Sequence, residues 1–158
     1  MITVSFLPIL IAGVVAVFVG WLWYSQYLFG NAYTRLSGAT PEMVERGKKR
    51  MPLNIFVSLL AYMLIAWVMT FVGIALNEFI DWISAIELGF WIWIGFVAPV
   101  MLGMVVWEQK PFQLYLIQVS HWLVTLIAIA LVLLFGGQYV SGVASPYDPG
   151  EGTIEMME

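Results

Sequence analysis

The sequence has no cysteine, a single histidine and few charged residues, and each shortage excludes a class of protein. Of its 158 residues, 10% are charged and none is cysteine. Disulfide frameworks, cysteine nucleophiles, thiolate-held zinc and iron–sulfur clusters are therefore excluded. One histidine excludes a multi-histidine metal centre, and no axial haem pair can be read from it. We expect neither a metal nor a cofactor.

What the sequence does contain is apolar. Hydrophobic residues make up 62% of the chain and the mean hydropathy is +0.93, values typical of a membrane protein. Four charge-free runs reach the length of about 20 helical residues that a bilayer core requires. The predicted spans are Phe6–Phe29, Leu53–Leu76, Leu88–Trp107 and Phe112–Phe135. The fold class is therefore an all-α membrane protein, with four transmembrane helices in a compact bundle within residues 1–140.

The basic residues predict how the chain is threaded, because short loops rich in lysine and arginine are retained in the cytoplasm. All six fall in two alternate loops: Arg35, Arg46, Lys48, Lys49 and Arg50 in the first, and Lys110 in the third. Both termini are then extracytoplasmic. Residues 141–158 are rich in glycine, proline and acidic residues, and we expect this acidic tail to be mostly disordered.

The first loop contains the stretch "GATPEMVERGKKRMP", which opens with a helix-start signal. Thr40 is a helix-capping residue, Pro41 suits the first helical position and Glu42 the first turn, so we expect a short surface helix over residues 40–50. The helix ends in three basic residues that we expect at the lipid headgroups: Lys48, Lys49 and Arg50. Docking of an acidic partner is the alternative role for these cations.

Two stretches carry a resemblance to a known family. They are "GWLWYSQYLFGNAYTRLSGAT" (Gly20–Thr40) and "WIGFVAPVMLGMVVWEQKPFQLYLIQVSHWLVTLIAIAL" (Trp93–Leu131). With "WYS", "LFG", Gly38, "GFV" and a last span that opens with polar residues, the chain resembles the domain of unknown function 1761 family of bacterial four-span membrane proteins. The resemblance implies a small protein of the bacterial inner membrane. It supplies no activity and no catalytic residue.

Polar residues inside the spans form the candidate intramembrane site, because polar side chains in lipid are costly. Helical spacing places Gln118, His121 and Thr125 on one face of the last span, and Asn54, Ser58 and Tyr62 on one face of the second. These faces favour interhelical hydrogen bonding, worth about 0.6 kcal/mol per contact. The alternative is a small cavity that opens towards the cytoplasm and binds an ion, a proton or a small molecule.

His121 and Tyr62 are matched in depth. Each lies nine residues from the cytoplasmic end of its predicted span, at Phe112 and Leu53, or about 14 Å along a helix. We expect His121 to face the interior, to be neutral at pH 7, and to bond to Tyr62 or to a water shared with Ser58 or Gln118. The expected role is to hold span four against span two, with ligand or proton binding as the alternative.

Small residues four apart predict close helix packing, within the chain or between chains. The first span offers Ala12, Ala16 and Gly20, and the third offers Gly95, Pro99 and Gly103. A flexible hinge at Pro99 is an alternative for the second set.

Three classes of function remain. An accessory, scaffold or binding protein needs only helix packing and assembly, in the bilayer and with a homo-oligomer or a larger membrane complex as partner. A transporter or channel for a small solute, an ion or a proton would need to work as an oligomer, because four helices are few. No paired carboxylates and no nucleophile–base set appear at any spacing, so we do not expect an enzyme. We expect no nucleic acid partner.

Overall fold

The computed structural model describes residues 6–76, 79 and 81–140, and all regular structure within them is helical. The elements are α1 (Phe6–Trp23), α2 (Gly30–Ser37), α3 (Pro41–Lys49), α4 (Met51–Leu76), α5 (Trp82–Ile92), a π-helical turn (Trp93–Val97), α6 (Ala98–Val106) and α7 (Phe112–Val140). Four segments are long and apolar enough to cross a membrane: Phe6–Trp23, Met51–Leu76, Trp82–Val106 and Phe112–Gly136. The four-span prediction is confirmed. The acidic tail, residues 141–158, lies outside the described residues.

The first span is shorter than the sequence predicts, because α1 ends at Trp23 in a compact turn over residues 24–29. The Ser25 carbonyl accepts the N–H of Gly30 at 2.9 Å and so closes the turn. A Cβ on residue 30 would collide with the carbonyl oxygen of Tyr24 and would lie 2.7 Å from that of Ser25. Glycine at position 30 therefore lets the chain turn tightly and enter α2 at once.

The short surface helix forms where its start signal predicts it. The Thr40 hydroxyl accepts the N–H of Met43 at 3.3 Å, and Pro41 occupies the first helical turn. Glu45 and Lys49 form an exposed ion pair at 3.3 Å, one helical turn apart. The helix α3 is thus stabilised by its own cap and ion pair, and it buries no residue.

The third span begins at Trp82, earlier than the predicted Leu88, because Asp81 caps it. The Asp81 carboxylate accepts both the N–H and the hydroxyl of Ser84 at 2.8 Å. These bonds satisfy donors that the first helical turn leaves free. The helix therefore starts as soon as the chain leaves the loop.

A π-helical turn divides the third span at Pro99. Proline has no N–H for the Gly95 carbonyl, and its ring crowds that carbonyl, so the helix widens over Trp93–Val97. The Ala98 N–H reaches back to the Trp93 carbonyl, which is one residue more than an α-helical turn. Because this turn is wider than an α-helical turn, α6 is rotated around the helix axis relative to α5.

The buried core lies in one half of the bundle. Helices α1 and α7 pack along each other, α4 packs mainly on α1, and α5 packs on α7. Small residues allow these approaches: a Cβ on Gly89 would lie 3.0 Å from the Ile127 backbone, and one on Gly136 would lie 2.8 Å from Pro8. The core consists of Ile9, Ala12, Ala16, Ala66, Met69, Ala85, Leu88, Leu126, Ile129, Ala130, Leu133 and Leu134.

The other half of the bundle is open on the side of α4, whereas Leu114, Val119 and His121 of α7 are buried there. It ends where α1 leads into residues 24–50 and where residues 107–111 join α6 to α7, and we call it the basic end because Arg35, Arg46, Lys48, Lys49, Arg50 and Lys110 lie there. No residue of α4 before Ala66 is buried. Helices α4 and α7 make little contact with each other. A groove therefore runs between them towards the basic end, with α1 beneath it.

Candidate functional site

His121 and Thr125 form the only buried polar pair in the part of the chain that the structure describes. They are 3% and 0% exposed. The Thr125 hydroxyl donates to the His121 carbonyl at 2.8 Å, and the same oxygen lies 3.3 Å from His121 Nε2. The carbonyl contact is the shorter of the two, and a hydroxyl has one proton to give. The two distances thus favour the tautomer in which Nε2 carries the proton and donates to Thr125.

Aromatic rings surround the imidazole. The Tyr24 ring centroid lies 5.1 Å from that of His121, and the Trp23 centroid lies 6.1 Å away. On the α4 side, Tyr62 packs edge-on against Trp122 at 5.9 Å. These rings keep the imidazole away from the lipid chains.

Two tryptophans hold α7 in place around the histidine. The Trp23 indole N–H donates to the Ile117 carbonyl at 3.1 Å, and the Trp93 indole N–H donates to the Val119 carbonyl at 2.7 Å. One donor comes from the end of α1 and the other from the π-helical turn. The segment of α7 just before His121 is therefore fixed from two sides.

Gly20 is the floor of the groove between α4 and α7. A Cβ added to Gly20 would lie 3.3 Å from His121 Nε2 and 3.8 Å from the Tyr62 hydroxyl oxygen. Both polar atoms therefore face the bare backbone of α1, which is partly exposed at this point. We call this groove the vestibule and define it by Gly20, Tyr24, Tyr62 and His121.

The vestibule contains polar groups that the described residues do not satisfy. Ser25 Oγ, next to Tyr24, is buried without a hydrogen-bond partner. The hydroxyls of Tyr24 and Tyr62 form no hydrogen bond to another described residue. Ser25 Oγ therefore carries a cost of about 1–3 kcal/mol, and the two tyrosine hydroxyls are free to bond an occupant of the vestibule.

The vestibule lies near the end of α1 and further along α7. Gly20 precedes the last residue of α1, Trp23, by three positions, which is about 5 Å along a helix. Helix α7 extends past the end of α1, and His121 lies nine residues from its first residue, Phe112, or about 14 Å.

In a comparison with protein families, residues 7–134 match the family described as Protein of unknown function (DUF1761). This chain belongs to that family. No curated protein and no solved structure matches it. The match covers most of the chain and includes the vestibule. The stretch "WYS" supplies Trp23, Tyr24 and Ser25, and "LFG" supplies the glycine that closes the turn beside them.

The predicted polar residues come together in part. His121 faces the interior as predicted, but it bonds to Thr125 of its own helix instead of Tyr62. The Thr125 hydroxyl, four residues further along α7, is the partner in reach, while the Tyr62 ring packs against Trp122. Ser58 and Gln118 are half-buried on the vestibule faces of α4 and α7, and Asn54 is exposed towards the basic end.

The predicted packing residues have different surroundings. Ala12 and Ala16 are fully buried in the core, whereas Gly20 borders the vestibule. Gly95 has nothing within 4 Å, Pro99 is exposed, and the only neighbour of Gly103 there is Trp107 of the adjoining loop. Among the described residues, no other helix packs against this face at Gly95 or Gly103.

The π-helical turn explains the difference on α6. A regular α-helix would continue the buried face of α5 through Phe96 and Val100, but these residues are 73% and 77% exposed while Ala98 is buried. The helices pack instead through Ala85 and Gly89, small residues four apart that the sequence reasoning missed. Their spacing is the signal that could have found them.

The predicted lipid-headgroup residues lie at the end of α3 and the start of α4. Lys48, Lys49 and Arg50 are all exposed at the basic end. Lys48 also lines an open groove of about 470 Å³ between α2 and α3. Within the described residues, no three side chains of the metal-binding types lie close enough to hold an ion.

Proposed function

We propose that this protein is an accessory membrane protein that binds a small molecule in the vestibule and carries out no catalysis. The observation that carries the proposal is the position of Tyr24 and Tyr62 beside a buried imidazole, with the unpartnered Ser25 Oγ next to Tyr24 in the sequence. Among the described residues these hydroxyls have no hydrogen-bond partner, and Nε2 has only Thr125. A bound molecule that bonds to them would remove the cost of leaving them unpaired.

The apolar core supports binding over transport. Below Thr125, the next inward residues of α7 are Leu126, Ile129 and Ala130, which pack in the core. A path across the membrane would need polar groups along its whole length. The vestibule is open at the basic end and closed by the core, so it holds a molecule and does not conduct one.

The side chains of the vestibule are suited to binding more than to reaction chemistry. They provide one imidazole and several hydroxyls, which recognise a molecule by hydrogen bonds. A general base of this kind is usually oriented by a carboxylate or another polar group from a second element. At His121 the polar neighbour is instead Thr125 of the same helix, and its role is to fix the orientation of the imidazole ring.

The proposal places the protein in the bacterial inner membrane, with the basic end in the cytoplasm. The family match and the four spans support the membrane, and the positive loops support the orientation. Assembly with a second copy or another membrane protein would use the open face of Gly95, Pro99 and Gly103. Helix backbones can approach closely at such a face.

Purification in mild detergent followed by native mass spectrometry tests the binding proposal. We expect a small molecule to copurify with the wild-type chain and to be absent from Gly20→Leu, whose side chain would fill the vestibule. Val14→Leu, on the exposed face of the same helix, is the matched control. Equal retention of the molecule by Gly20→Leu would overturn the proposal.

The assembly part of the proposal is measured separately. Replacing Gly95 by leucine adds bulk to a face that has no neighbour within the chain. We expect Gly95→Leu to fold normally, to keep the ligand and to lose any oligomer or stoichiometric partner seen with the wild type. A partner that stays bound would show that this face is covered by lipid.

A further inference from the structure

We propose that the ligand of the vestibule is an acidic amphiphile, a molecule with a carboxylate or phosphate head and a long acyl chain. This inference rests on the proposed function and names the class of molecule that the site would bind. The head would lie over Gly20, within reach of Tyr62 and His121, and the chain would lie in the bilayer.

The groove borders lipid on its α4 side. Helices α4 and α7 each pack on α1 and make little contact with each other, although the rings of Tyr62 and Trp122 meet between them at 5.9 Å. The first half of α4 buries no side chain. A molecule whose head binds beside Tyr62 can therefore leave its tail in the bilayer, where the protein need not enclose it.

The depth of the site fits the head of an amphiphile. Gly20 lies one helical turn inside the end of α1, at Trp23. Beyond that point the chain exposes Tyr27, Leu28 and Phe29, as expected where a bilayer core meets its headgroups. A head bound over Gly20 would therefore lie about one helical turn from the end of the first span.

Hydrogen-bond donors are available to the head. The hydroxyls of Tyr24, Tyr62 and Ser25 keep their protons free of the described residues. His121 Nε2–H is held by Thr125 at 3.3 Å, a long bond that can be shared with a second acceptor. Bonds from such donors to an anion are stronger than bonds between neutral groups.

The charge around the entrance favours an anion. Six basic residues lie at the basic end, against three acidic ones, Glu42, Glu45 and Glu108. Of these carboxylates, Glu45 is already paired with Lys49. The excess of positive charge raises the local concentration of anions.

The test is a comparison of three probes with the full chain in detergent: palmitate labelled with ¹³C at the carboxyl, hexadecanol and acetate. Palmitate has both the charged head and the long tail. Hexadecanol has the tail but no charge, and acetate has the charge but no tail. Native mass spectrometry counts the bound molecules, and the ¹³C shift reports the surroundings of the carboxylate. We expect palmitate to bind at least about tenfold more tightly than hexadecanol, as charged hydrogen bonds require, and acetate not to saturate.

The variant Tyr62→Phe tests whether palmitate binds in the vestibule. The Tyr62 hydroxyl has no partner among the described residues, so its removal should leave the thermal stability of the ligand-free chain unchanged. We expect palmitate affinity to fall about tenfold, whereas Tyr27→Phe, at a residue that is 96% exposed, should bind as the wild type does. Palmitate binding that Tyr62→Phe leaves unchanged would overturn the site.

The remaining outcomes separate this inference from the proposed function. Equal binding of palmitate and hexadecanol, or saturable binding of acetate, overturns the acidic amphiphile. If palmitate does not bind but another molecule copurifies and is lost in Gly20→Leu, the ligand class is wrong and the binding function stands. If no molecule binds or copurifies, both fail.

Discussion

The indole of Trp23 donates to the carbonyl of Ile117 at 3.1 Å, and this bond joins the last residue of α1 to the turn of α7 that precedes His121. Because α1 is the floor of the vestibule and α7 one of its walls, the bond fixes the position of this wall relative to the floor. A single side chain thus links the packing of the bundle to the geometry of its polar pocket.

Trp23→Phe tests that link. The change keeps an aromatic ring but removes the donor, so the free energy of unfolding should fall by about 1–2 kcal/mol. Thermal unfolding in detergent measures the loss, and Trp107→Phe, at an exposed position, serves as the control. If both variants unfold alike, the indole N–H does not hold the helices together.

Gly30→Ala tests the turn that ends α1. An alanine Cβ would collide with the backbone of Tyr24 and Ser25, and we expect a loss of about 1–3 kcal/mol. Gly47→Ala is the matched control, because nothing lies within 4 Å of Gly47 in α3. Alanine there should stabilise the helix by up to about 1 kcal/mol. Equal effects at both glycines would contradict the tight turn.

His121 and Thr125 can be tested as a pair. Thr125→Val keeps the shape of the side chain but leaves His121 Nε2 without its partner, so we expect a loss of about 1–3 kcal/mol. His121→Phe should also destabilise, and the double variant should lose less than the two single losses combined, because both changes remove one bond. If His121→Phe keeps both stability and ligand, the histidine serves only for packing.

Asp81 predicts a dependence of stability on pH. The backbone N–H of Ser84, and then its hydroxyl, hold the pKa of the Asp81 carboxyl below its ordinary value. A lowered pKa means stabilisation that is complete above the ordinary value and is lost as the pH falls through the lowered one. Asp81→Asn keeps an acceptor without a titrating group. The stability difference between the two proteins should therefore change below about pH 4, and curves that stay parallel down to pH 2 would contradict the cap.

The orientation is tested with cysteines, which the natural chain lacks. Lys49→Cys and Glu151→Cys should react from opposite sides of intact cells, with Glu151→Cys labelled from outside by an impermeant reagent. Lysed cells, in which both must react, give the control. Labelling of both positions in intact cells would refute the predicted threading.

Much of the fold was predictable because the bilayer imposes a simple requirement on composition. The lengths of the apolar runs gave the four spans, and the cap at Thr40 gave α3. The end of α1 could not be read in this way, since Tyr27, Leu28 and Phe29 continue the apolar run through the turn. The turn depends on how closely the backbone at Gly30 approaches Tyr24, and this contact is a feature of the folded chain that the residue pattern does not show.

The site was predictable where it depended on one helix. The i, i+4 spacing of His121 and Thr125 placed the two side chains together, and the structure makes that pair the buried one. The indole bonds of Trp23 and Trp93 join residues far apart in sequence to backbone carbonyls of α7. Tryptophans at a membrane interface have many possible partners, so no pattern in the sequence singles out these two.

The π-helical turn at Trp93–Val97 also affects how related chains are compared. Because of this turn, the residues that share a face in α5 do not continue onto the same face in α6. Within each of the two helices the spacing is that of a regular α-helix. A one-residue gap in this segment would let the turn close into a regular α-helix and would swing α6 by about 100° around its axis, while α5 stayed where it is. In an alignment of relatives, such a gap would change which residues of α6 meet the lipid without altering the residues themselves.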